Sequence, residues 1–477
     1  MTDSVDDAEE YDVIVIGGGP AGENAASYAI AGSERTAALI EHELVGGECS
    51  YWACMPSKAL LRPGEVLGAA RNMAGVSAGA LDPQAVLARR DSFTNNHDDS
   101  SQVMWADAQG IEVIRGSACL AGERTVTVGG SRRIRARHAV VVATGTTAAI
   151  PDTPGLRAAL PWASRDATNL REVPRRVAVI GGGVVACESA SWLLDLGVEE
   201  LTMVVRGRGL LAKNEPFAGK LVAEGLEKKG ARLLFGADLR GVDRPDPQDT
   251  GVGRIHGGPA TLDVAGQDPF EVDEIVVATG RTPATSGLGV DPRLLDARGY
   301  LPTDDHMTTP DGWLYAVGDV NGRALLTHMG KYQARVCGDV IAARAEGRPL
   351  DGSRYSASAD HGQVPQVVFS DPEVAAVGIT EKEARDAGVN VETVEVDIAV
   401  AGSSLSRDDF GGHAKLVVDR GTDTLLGATF AGTDVAELVH AATVAVVGRV
   451  PLDALWHAVP SYPTVSEVWL RLLEARR

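Results

Sequence analysis

The sequence predicts an α/β protein in which two doubly wound domains are followed by an α+β domain. Two stretches repeat one order of elements, namely an apolar strand, a glycine-rich turn, an apolar helix and a second strand. Each repeat can nucleate a doubly wound domain of its own. A third block, from Pro349 onward, has strand-like and helical patterns without such a turn. A length of 477 residues also favours several domains over one core.

The two repeats have the same elements in the same order. An unbroken apolar run begins each one, which is typical of a parallel strand covered on both faces. A helical pattern and a second apolar strand follow the turn. These elements are predicted over 11–16, 24–31 and 36–40 in the first repeat and over 176–180, 187–196 and 201–205 in the second.

The first turn has the spacing Gly17-x-Gly19-x-x-Gly22. Its first glycine permits the tight turn, its second lets a pyrophosphate approach the backbone, and its third lets helix and strand pack. Glu41 ends the second strand, where a carboxylate can hold a ribose hydroxyl. A glycine-rich turn alone is weak evidence, but this context predicts a dinucleotide site.

The second turn differs from the first in two ways. Gly181 and Gly183 occupy the first two positions, but Ala186 occupies the third, and the following strand ends in Arg206 with Arg208 nearby. A ribose 2′-phosphate needs cationic partners, so this repeat is expected to prefer NADPH to NADH. Two solvated surface arginines are the alternative interpretation.

Each repeat also ends in a similar strand, over 140–145 and 275–280, that finishes in Ala-Thr-Gly. Thr144, Gly145 and Gly280 therefore lie at the ends of predicted strands, where ligands bind to open α/β sheets. The third block contains strand-like runs over 366–369, 414–418 and 425–430 and helical patterns over 437–448 and 465–475.

Cys49 and Cys54 form a close pair with four residues between them. Positions five apart on an ideal helix point in different directions, whereas a disulfide needs Cα atoms within about 7 Å. The segment is therefore expected to be distorted, and Pro56 fits that expectation. An incidental pair and half of a zinc site are the alternatives, but no further ligands lie close by, and we predict no metal site. Cys119, Cys187 and Cys337 are expected to be buried apolar side chains.

Composition excludes several classes of function. The net charge of −20 disfavours nucleic acid and anionic membranes as partners, and no apolar run is long enough to span a bilayer. Five cysteines do not make a secreted disulfide framework, so a cytoplasmic location is expected. The acidic residues from Met1 to Glu10 are predicted to form a short disordered tail rather than a signal sequence.

Taken together, these residues resemble the class I pyridine nucleotide-disulfide oxidoreductases, the flavin-dependent family that includes dihydrolipoamide dehydrogenase, glutathione reductase and mercuric reductase. The resemblance runs from about Asp12 to Glu467. Its most specific motif is Gly47-x-Cys49-x4-Cys54-x-Pro56-Ser57-Lys58.

The resemblance implies an α/β fold with two doubly wound dinucleotide-binding domains plus a C-terminal α+β dimerisation domain, and a homodimer whose active site is shared between subunits. It places the first part of an FAD-binding domain at 1–150 and an NAD(P)H-binding domain at 151–282. The FAD-binding domain returns over 283–348, and the dimerisation domain covers 349–477.

The resemblance also implies roles for individual residues. Electrons would pass from NADPH through FAD to the Cys49–Cys54 disulfide, with Cys54 against the flavin and Cys49 exchanging with substrate. Lys58 and Glu188 match an ion pair beside the flavin, and the alternative is an ordinary surface Lys and helix Glu. The implied FAD contacts are Gly17, Gly19, Gly22, Glu41, Gly47, Lys58, Thr144, Gly145 and Asp319, and the implied NADPH contacts are Gly181, Gly183, Ala186, Arg206, Arg208 and Gly280.

One position departs from the family pattern. Disulfide-reducing members carry a His that the partner subunit supplies as acid–base, but Tyr462 stands here in its place, while the accompanying Glu467 is present. An unperturbed tyrosine has a pKa near 10 and is a poor base at neutral pH. His457 could substitute, although packing or surface exposure is the more ordinary role. The expected catalytic set is Cys49, Cys54, Lys58, Glu188, Tyr462 and Glu467.

The sequence thus predicts an NADPH-oxidising, FAD-dependent reductase of a small disulfide or another two-electron acceptor. A quinone-reducing diaphorase with a vestigial dithiol, a mercuric-reductase-like enzyme and a redox-sensing flavoprotein with little turnover are the alternatives. Tyr462 leaves the acceptor open, because the residue that normally serves thiol exchange is missing.

Overall fold

The computed structural model describes residues 8–476, which form two compact units. Unit 1 contains the chain up to Cys54 together with 94–147 and 281–360. Unit 2 contains 55–93, 148–280 and the chain from His361 onward. Residues 1–7 of the predicted tail lie outside the described residues.

The strands, in chain order, are β1 (Glu9–Ile16), β2 (Ala37–Glu41), β3 (Ile111–Arg115), β4 (Ala118–Gly122), β5 (Thr125–Val128), β6 (Arg132–Val142), β7 (Thr146–Ala148), β8 (Arg176–Ile180), β9 (Glu200–Val205), β10 (Arg232–Phe235), β11 (Leu239–Asp243), β12 (Ala260–Val264), β13 (Phe270–Val272), β14 (Glu274–Val277), β15 (Arg281–Pro283), β16 (Leu314–Ala316), β17 (Pro365–Val368), β18 (Glu373–Gly378), β19 (Val391–Asp397), β20 (Gly412–Asp419) and β21 (Thr424–Gly432).

The α-helices are α1 (Pro20–Ile30), α2 (Gly47–Tyr51), α3 (Cys54–Arg71), α4 (Pro83–Phe93), α5 (Ser100–Ala108), α6 (Ser164–Thr168), α7 (Val184–Asp195), α8 (Pro216–Lys228), α9 (Thr327–Ala345), α10 (Glu381–Asp386), α11 (Leu438–Val447), α12 (Leu452–Trp456) and α13 (Glu467–Ala475). Short 3-10 turns cover Asn95–His97, Pro292–Leu294, Gly318–Asn321, Ser353–Tyr355, Ser358–Asp360 and Ser403–Leu405.

Unit 1 is built on a seven-stranded sheet in the order β3–β2–β1–β6–β5–β4, with β16 also paired to β6. The strands β3, β2, β1, β6 and β16 run parallel, as a doubly wound domain requires. All six residues from Tyr11 to Ile16 are buried, which confirms the apolar run as a strand covered on both faces. Glu9 and Glu10 also belong to β1 and pair with β6, so the tail prediction is wrong for them.

Unit 2 contains three sheets, one of which is antiparallel in the order β11–β12–β13. A parallel sheet in the order β10–β9–β8–β14 holds the second repeat, and an antiparallel sheet in the order β17–β18–β21–β20–β19 forms the C-terminal part. The helices α11 and α13 pack on the antiparallel sheet through one apolar cluster. The predicted fold class, two doubly wound α/β parts and an α+β part, is therefore confirmed.

Two of the three isolated cysteines are buried as predicted. Cys187 and Cys337 lie in the cores of unit 2 and unit 1. Cys119 is exposed, and the prediction is wrong there, because β4 is an edge strand of the seven-stranded sheet. None of the described helices combines the length and apolar character needed to cross a membrane.

The packing of α9 against α1 positions several groups discussed below. Gly338 of α9 lies so close to α1 that a Cβ there would stand 2.4 Å from the Cβ of Tyr28 and 2.8 Å from the backbone nitrogen of Ala29. Only a residue without a side chain permits this approach.

We expect Gly338→Ala to lower the free energy of unfolding by about 1–3 kcal/mol, because the added methyl group overpacks the contact between α1 and α9. Denaturant unfolding followed by circular dichroism measures the change. Gly79→Ala is the matched control, since a Cβ at Gly79 meets nothing within 4 Å. Equal stability of the two variants would contradict the prediction.

Candidate active site

The three glycines of the turn in unit 1 differ in the space that surrounds each of them. Gly17 has φ +107°, and a Cβ there would lie 2.4 Å from the carbonyl oxygen of Ala143. A Cβ on Gly22 would lie 1.8 Å from the carbonyl oxygen of Gly17. Gly19, the N-cap of α1, has nothing within 4 Å of its Cβ position. Backbone atoms therefore leave no room for a side chain at Gly17 or Gly22, whereas the space beside Gly19 is open. Gly19 lies at a helix N-terminus, which is suited to bind a pyrophosphate.

Glu41 is fixed against this turn before any ligand arrives. Its Oε2 accepts a hydrogen bond of 2.7 Å from the Gly18 N–H, and its Oε1 accepts one of 2.7 Å from the Glu43 N–H. The side chain is buried at the end of β2. A buried carboxylate held beside a glycine turn is the arrangement that binds ribose hydroxyls.

A second group of polar residues lies at the end of β6. Thr144 has a buried Oγ1 without a hydrogen-bond partner among the described residues, and Gly145 follows with φ +69°. Asp319 accepts a hydrogen bond of 2.8 Å from Thr146 Oγ1, and burial raises the pKa of its carboxyl. Arg281 donates to the Thr146 carbonyl at 2.6 Å.

Sequence reasoning did not identify Arg281. The residue follows the second Ala-Thr-Gly strand directly, but the structure places it in unit 1 beside Thr146 and Asp319. A cation immediately after that motif is the signal that could have pointed to it.

The segment that carries the cysteines is attached directly to the glycine turn. The Gly46 N–H donates to the Gly18 carbonyl at 2.7 Å. Gly47 has φ +52°, and a Cβ there would lie 2.8 Å from the Cα of Gly19. The helix α2 therefore begins against the backbone of the glycine turn, and this close approach requires a glycine at position 47.

The Cys49–Cys54 segment is distorted as the sequence predicts. The helix α2 ends at Tyr51, Trp52 leaves helical geometry with φ −126°, and α3 begins at Cys54. Pro56 lies in the first turn of α3, where its missing N–H costs no helical hydrogen bond. The break brings both half-buried thiols together, and Cys49 is hydrogen-bonded to Cys54.

The groups around the thiols set their ionisation. The hydrogen bond that the Cys49 thiol makes to Cys54 and then burial raise the pKa of Cys49, while Thr327 and the Lys331 ammonium oppose them. Cys54 Sγ lies 3.2 Å from Thr327 Oγ1, and Thr327 is the first residue of α9. No sequence signal identified Thr327, because α9 is distant from the cysteines along the chain.

Aromatic side chains line the other side of the break. The Trp52 ring packs on the His97 ring, with centroids 4.5 Å apart, and Tyr51 lies 6.1 Å from the same ring. Asn95, Asn96 and His97 all have positive φ. Left-handed backbone in three successive non-glycine residues is costly, and here it presents His97 to Trp52.

In unit 2, the structure brings Lys58 and Glu188 together. Lys58 Nζ donates to both Glu188 carboxylate oxygens, at 2.8 and 3.0 Å, and lies 4.7 Å from the Phe369 ring centroid. Glu188 is only 4% exposed and also accepts the Phe369 N–H at 3.0 Å. Lys58 and Phe369 line a cavity of about 470 Å³. A role beside a flavin stays a prediction.

The second glycine turn, also in unit 2, repeats the geometry of the first. A Cβ on Gly181 would lie 2.3 Å from the Ala278 carbonyl oxygen, whereas Gly183 is the open N-cap of α7. Ala186 is fully buried in the position of a third glycine, and Gly280 has φ +142° at the end of the neighbouring strand. Arg206 and Arg208 are exposed just after β9. Both turns fit a dinucleotide phosphate, and the orphan hydroxyl of Thr144 adds a ligand group to the first.

The C-terminal candidate residues differ in their exposure. Tyr462 is 74% exposed, and His457 is also exposed. Glu467 is buried, with Oε2 accepting the Gly402 N–H at 3.0 Å and Oε1 paired with Arg471 at 2.7 Å. Glu467 therefore holds its own domain together here, and its predicted catalytic role, like that of Tyr462, stays a prediction.

Comparison with known proteins assigns these features to one family. The family model described as pyridine nucleotide-disulphide oxidoreductase matches residues 11–347, and the dimerisation-domain model of the same name matches 364–473. The chain is 30% identical over 470 residues to a mercuric reductase of Staphylococcus aureus, covering 96% of this chain and 81% of the relative. It is 32% identical over 473 residues to a dihydrolipoyl dehydrogenase of Chlorobaculum tepidum, covering 96% of each.

A solved structure has the same fold. The Cu(II) complex of the HOCl-induced flavoprotein disulfide reductase RclA from Escherichia coli superposes with a TM-score of 0.83. It covers 98% of this chain and 100% of that protein at 23% identity, which shows the fold alone.

We expect alanine substitutions at two glycines of the first turn to affect different properties of the protein. Gly22→Ala should destabilise the protein by about 3 kcal/mol or more, because its methyl group collides with backbone. Gly19→Ala should keep its thermal stability without cofactor but weaken FAD retention by at least about tenfold, or about 1.4 kcal/mol. Thermal unfolding and flavin fluorescence during dilution measure both.

The matched control is Gly183→Ala, which alters the equivalent open position of the second turn. It should leave FAD retention unchanged. Loss of FAD from the Gly183 variant, or normal retention by the Gly19 variant, would contradict the assignment of the first turn.

Proposed function

Because the chain belongs to the pyridine nucleotide-disulphide oxidoreductase family, we propose that it oxidises NADPH and passes the electron pair through FAD to Cys49 and Cys54. From these cysteines the electrons go to a small disulfide or another two-electron acceptor. The observation that carries this proposal is the attachment of the dithiol segment to the glycine turn through Gly46 and Gly47.

FAD, when bound, supplies the two-electron chemistry that the protein side chains lack. The chain contributes the binding groups. The turn at Gly19 receives the pyrophosphate, Glu41 holds a ribose, and Thr144 and Asp319 supply polar contacts at the end of β6. The hydrogen bonds of Glu41 and Asp319 and the open position at Gly19 support this assignment.

The two cysteines divide the thiol chemistry. Opening their disulfide takes up two electrons and one proton and leaves one thiol and one thiolate. Cys49 gives up its proton and attacks an acceptor disulfide as a thiolate, which forms a mixed disulfide and expels one acceptor thiolate that takes up a proton. The Cys54 thiolate then attacks the Cys49 sulfur, which restores the protein disulfide and releases the second acceptor thiolate.

Local structure supports this division. Cys54 begins α3 and contacts the first residue of α9, so two helix N-termini lie at its sulfur. Helix N-termini stabilise a thiolate and suit Cys54 to remain inside, against the cofactor. Cys49 lies in the separate helix α2, with the exposed Lys331 nearby, and is suited to meet the acceptor.

Lys58 provides a fixed cation in unit 2. Two hydrogen bonds to Glu188 and the Phe369 ring hold its ammonium in one position. We assign it to the cofactor ring system, whose reduced form carries negative charge. Arg206 and Arg208 are exposed directly after β9, and we assign them to the 2′-phosphate of NADPH.

A homodimer completes the proposal. The dimerisation-domain model covers residues 364–473. Several large apolar side chains of this region are exposed in the single chain, as expected for a surface that a second copy covers: Leu405, Val444, Val447, Val459 and Tyr462. The second copy would bring its Tyr462 to the dithiol, where a phenol donates hydrogen bonds well but accepts protons poorly.

We expect Cys49→Ser and Cys54→Ser each to lower disulfide turnover by roughly 10³-fold or more, the scale on which losing a nucleophile slows covalent catalysts. Wild-type protein should gain two reactive thiols on anaerobic treatment with NADPH, measured with a chromogenic thiol reagent, and the variants should not. Cys119→Ser, which removes an exposed cysteine, is the matched control and should behave as wild type.

Two outcomes would overturn this assignment. If quinone reduction is fast and unaffected by Cys49→Ser, while no disulfide is reduced, the protein is a diaphorase with a vestigial dithiol. If the cofactor is reduced rapidly but no disulfide, quinone or metal ion accepts its electrons, the protein is a redox sensor.

We expect the double variant Arg206→Ala and Arg208→Ala to raise the KM for NADPH by roughly 100-fold or more, because charge-assisted hydrogen bonds contribute about 1.5–3 kcal/mol each. The KM for NADH should change little. Steady-state kinetics with both nucleotides measure the effect, and Lys213→Ala, an exposed cation on the same stretch, is the control. A wild-type KM for NADH at or below that for NADPH would overturn the preference.

A further inference from the structure

The 94–99 segment, which precedes α5, has an unusual backbone. Asn95, Asn96 and His97 have φ values of +48°, +51° and +61°. Asparagine and histidine tolerate left-handed backbone better than most residues do, but three such residues in succession remain costly. Strain of this kind persists only where surrounding contacts fix it, so the contacts of the segment indicate its role.

Asp99, at one end of the segment, holds the chain just before α2. Its Oδ2 accepts the Val45 N–H at 2.7 Å, and Val45 is fully buried two residues before the helix begins. Arg115 pairs with the same carboxylate oxygen and donates to the Glu43 carbonyl at 2.8 Å. Asp99 and Arg115 therefore fix the stretch that leads into α2.

His97 holds the chain at the other end of α2. Its ring centroid lies 4.5 Å from that of Trp52 and 6.1 Å from that of Tyr51. Tyr51 is the last residue of α2, and Trp52 is the residue at which the helix breaks. Both ring contacts therefore fall on the break that brings the two cysteines together.

The helix α2 depends on support of this kind. It has only five residues, and so short a helix is not stable by itself. The hydrogen bond from Gly46 to the glycine turn holds its start, and the ring contacts of His97 hold its end. Cys49 lies inside this helix, so a movement of α2 changes the distance between the Cys49 and Cys54 sulfurs.

We propose that the 94–99 segment is a positioning element of the dithiol, in which His97 and Asp99 hold Cys49 beside Cys54 while the disulfide is open. The inference rests on the proposed function, in which this disulfide opens and closes in each cycle. Two thiols held in place re-form their disulfide readily, because each meets the other at a high effective concentration. The contacts of His97 and Asp99 therefore lower the reduction potential of the pair.

Thiol–disulfide exchange with dithiothreitol measures this potential. One dithiothreitol is oxidised to its cyclic disulfide, the bond between Cys49 and Cys54 breaks, and the two thiol hydrogens end on the two protein sulfurs. The holoenzyme is equilibrated without oxygen in mixtures of reduced and oxidised dithiothreitol and is then quenched with acid. Trapping with N-ethylmaleimide and peptide mass spectrometry give the reduced fraction of Cys49 in each mixture.

We expect His97→Asn to favour the dithiol over the disulfide by about tenfold, which raises the reduction potential by about 30 mV. Asparagine tolerates the left-handed backbone, so this variant removes the ring contacts and keeps the turn. Asp99→Ala should have an effect of similar size, because it removes the acceptor of the Val45 N–H. Asp99→Asn should restore most of the wild-type potential, since its amide oxygen can still accept that N–H.

Asn96→Gly is the matched control. Asn96 lies in the same segment and has the same left-handed backbone, but its side chain is exposed. Glycine adopts this conformation without steric cost. The reduction potential of this variant should therefore equal that of wild type.

Wild-type potentials in both His97→Asn and Asp99→Ala would overturn the inference. An equal shift in Asn96→Gly would also overturn it, because the effect would then follow from loosening of the segment as a whole. Circular dichroism checks the folding of each variant, and if Asp99→Ala does not fold, the potential of His97→Asn decides by the same criterion. If dithiothreitol opens the wild-type disulfide but NADPH does not, the proposed function fails while the test of the 94–99 segment still stands.

Discussion

The candidate site depends on the contact between the dithiol segment and the glycine turn. The Gly46 N–H bonds to the Gly18 carbonyl, and Gly47 lies against the Cα of Gly19. Gly18 in turn donates to Glu41, so one short turn anchors both the cysteine helix and a buried carboxylate. A side chain at Gly47 would separate the dithiol from the glycine turn, and the proposed electron transfer would then lose its geometric basis.

One lysine–carboxylate pair of unit 2 is held in place from several sides. Lys58 and Glu188 are joined by two hydrogen bonds, and Phe369 adds a third contact to the carboxylate, which fixes a charge in place. A cation held from several sides in this way keeps one position and one orientation.

The C-terminal part keeps the fold of the family but has a tyrosine, Tyr462, where a histidine is expected. Glu467 is retained, but within the chain its oxygens are used by Gly402 and Arg471 rather than by a neighbouring base. Tyr462 is exposed, where a second subunit can cover it. The relatives include a mercuric reductase and a dihydrolipoyl dehydrogenase, so family membership leaves the acceptor to be decided by local chemistry around Cys49.

The sequence by itself determined the features that depend on short spacing: the strand–turn–helix repeats, the broken helix between Cys49 and Cys54, and the α+β character of the C-terminal part. These features depend on the backbone conformation and the hydrophobic pattern of short segments, which residues close together in the sequence determine. Only the tertiary structure decided that Cys119 lies exposed on an edge strand, that Arg281 joins Asp319, and that α9 brings Thr327 and Lys331 to the cysteines. Such contacts join residues far apart along the chain, and they arise from how helices and sheets pack, which residue spacing does not encode.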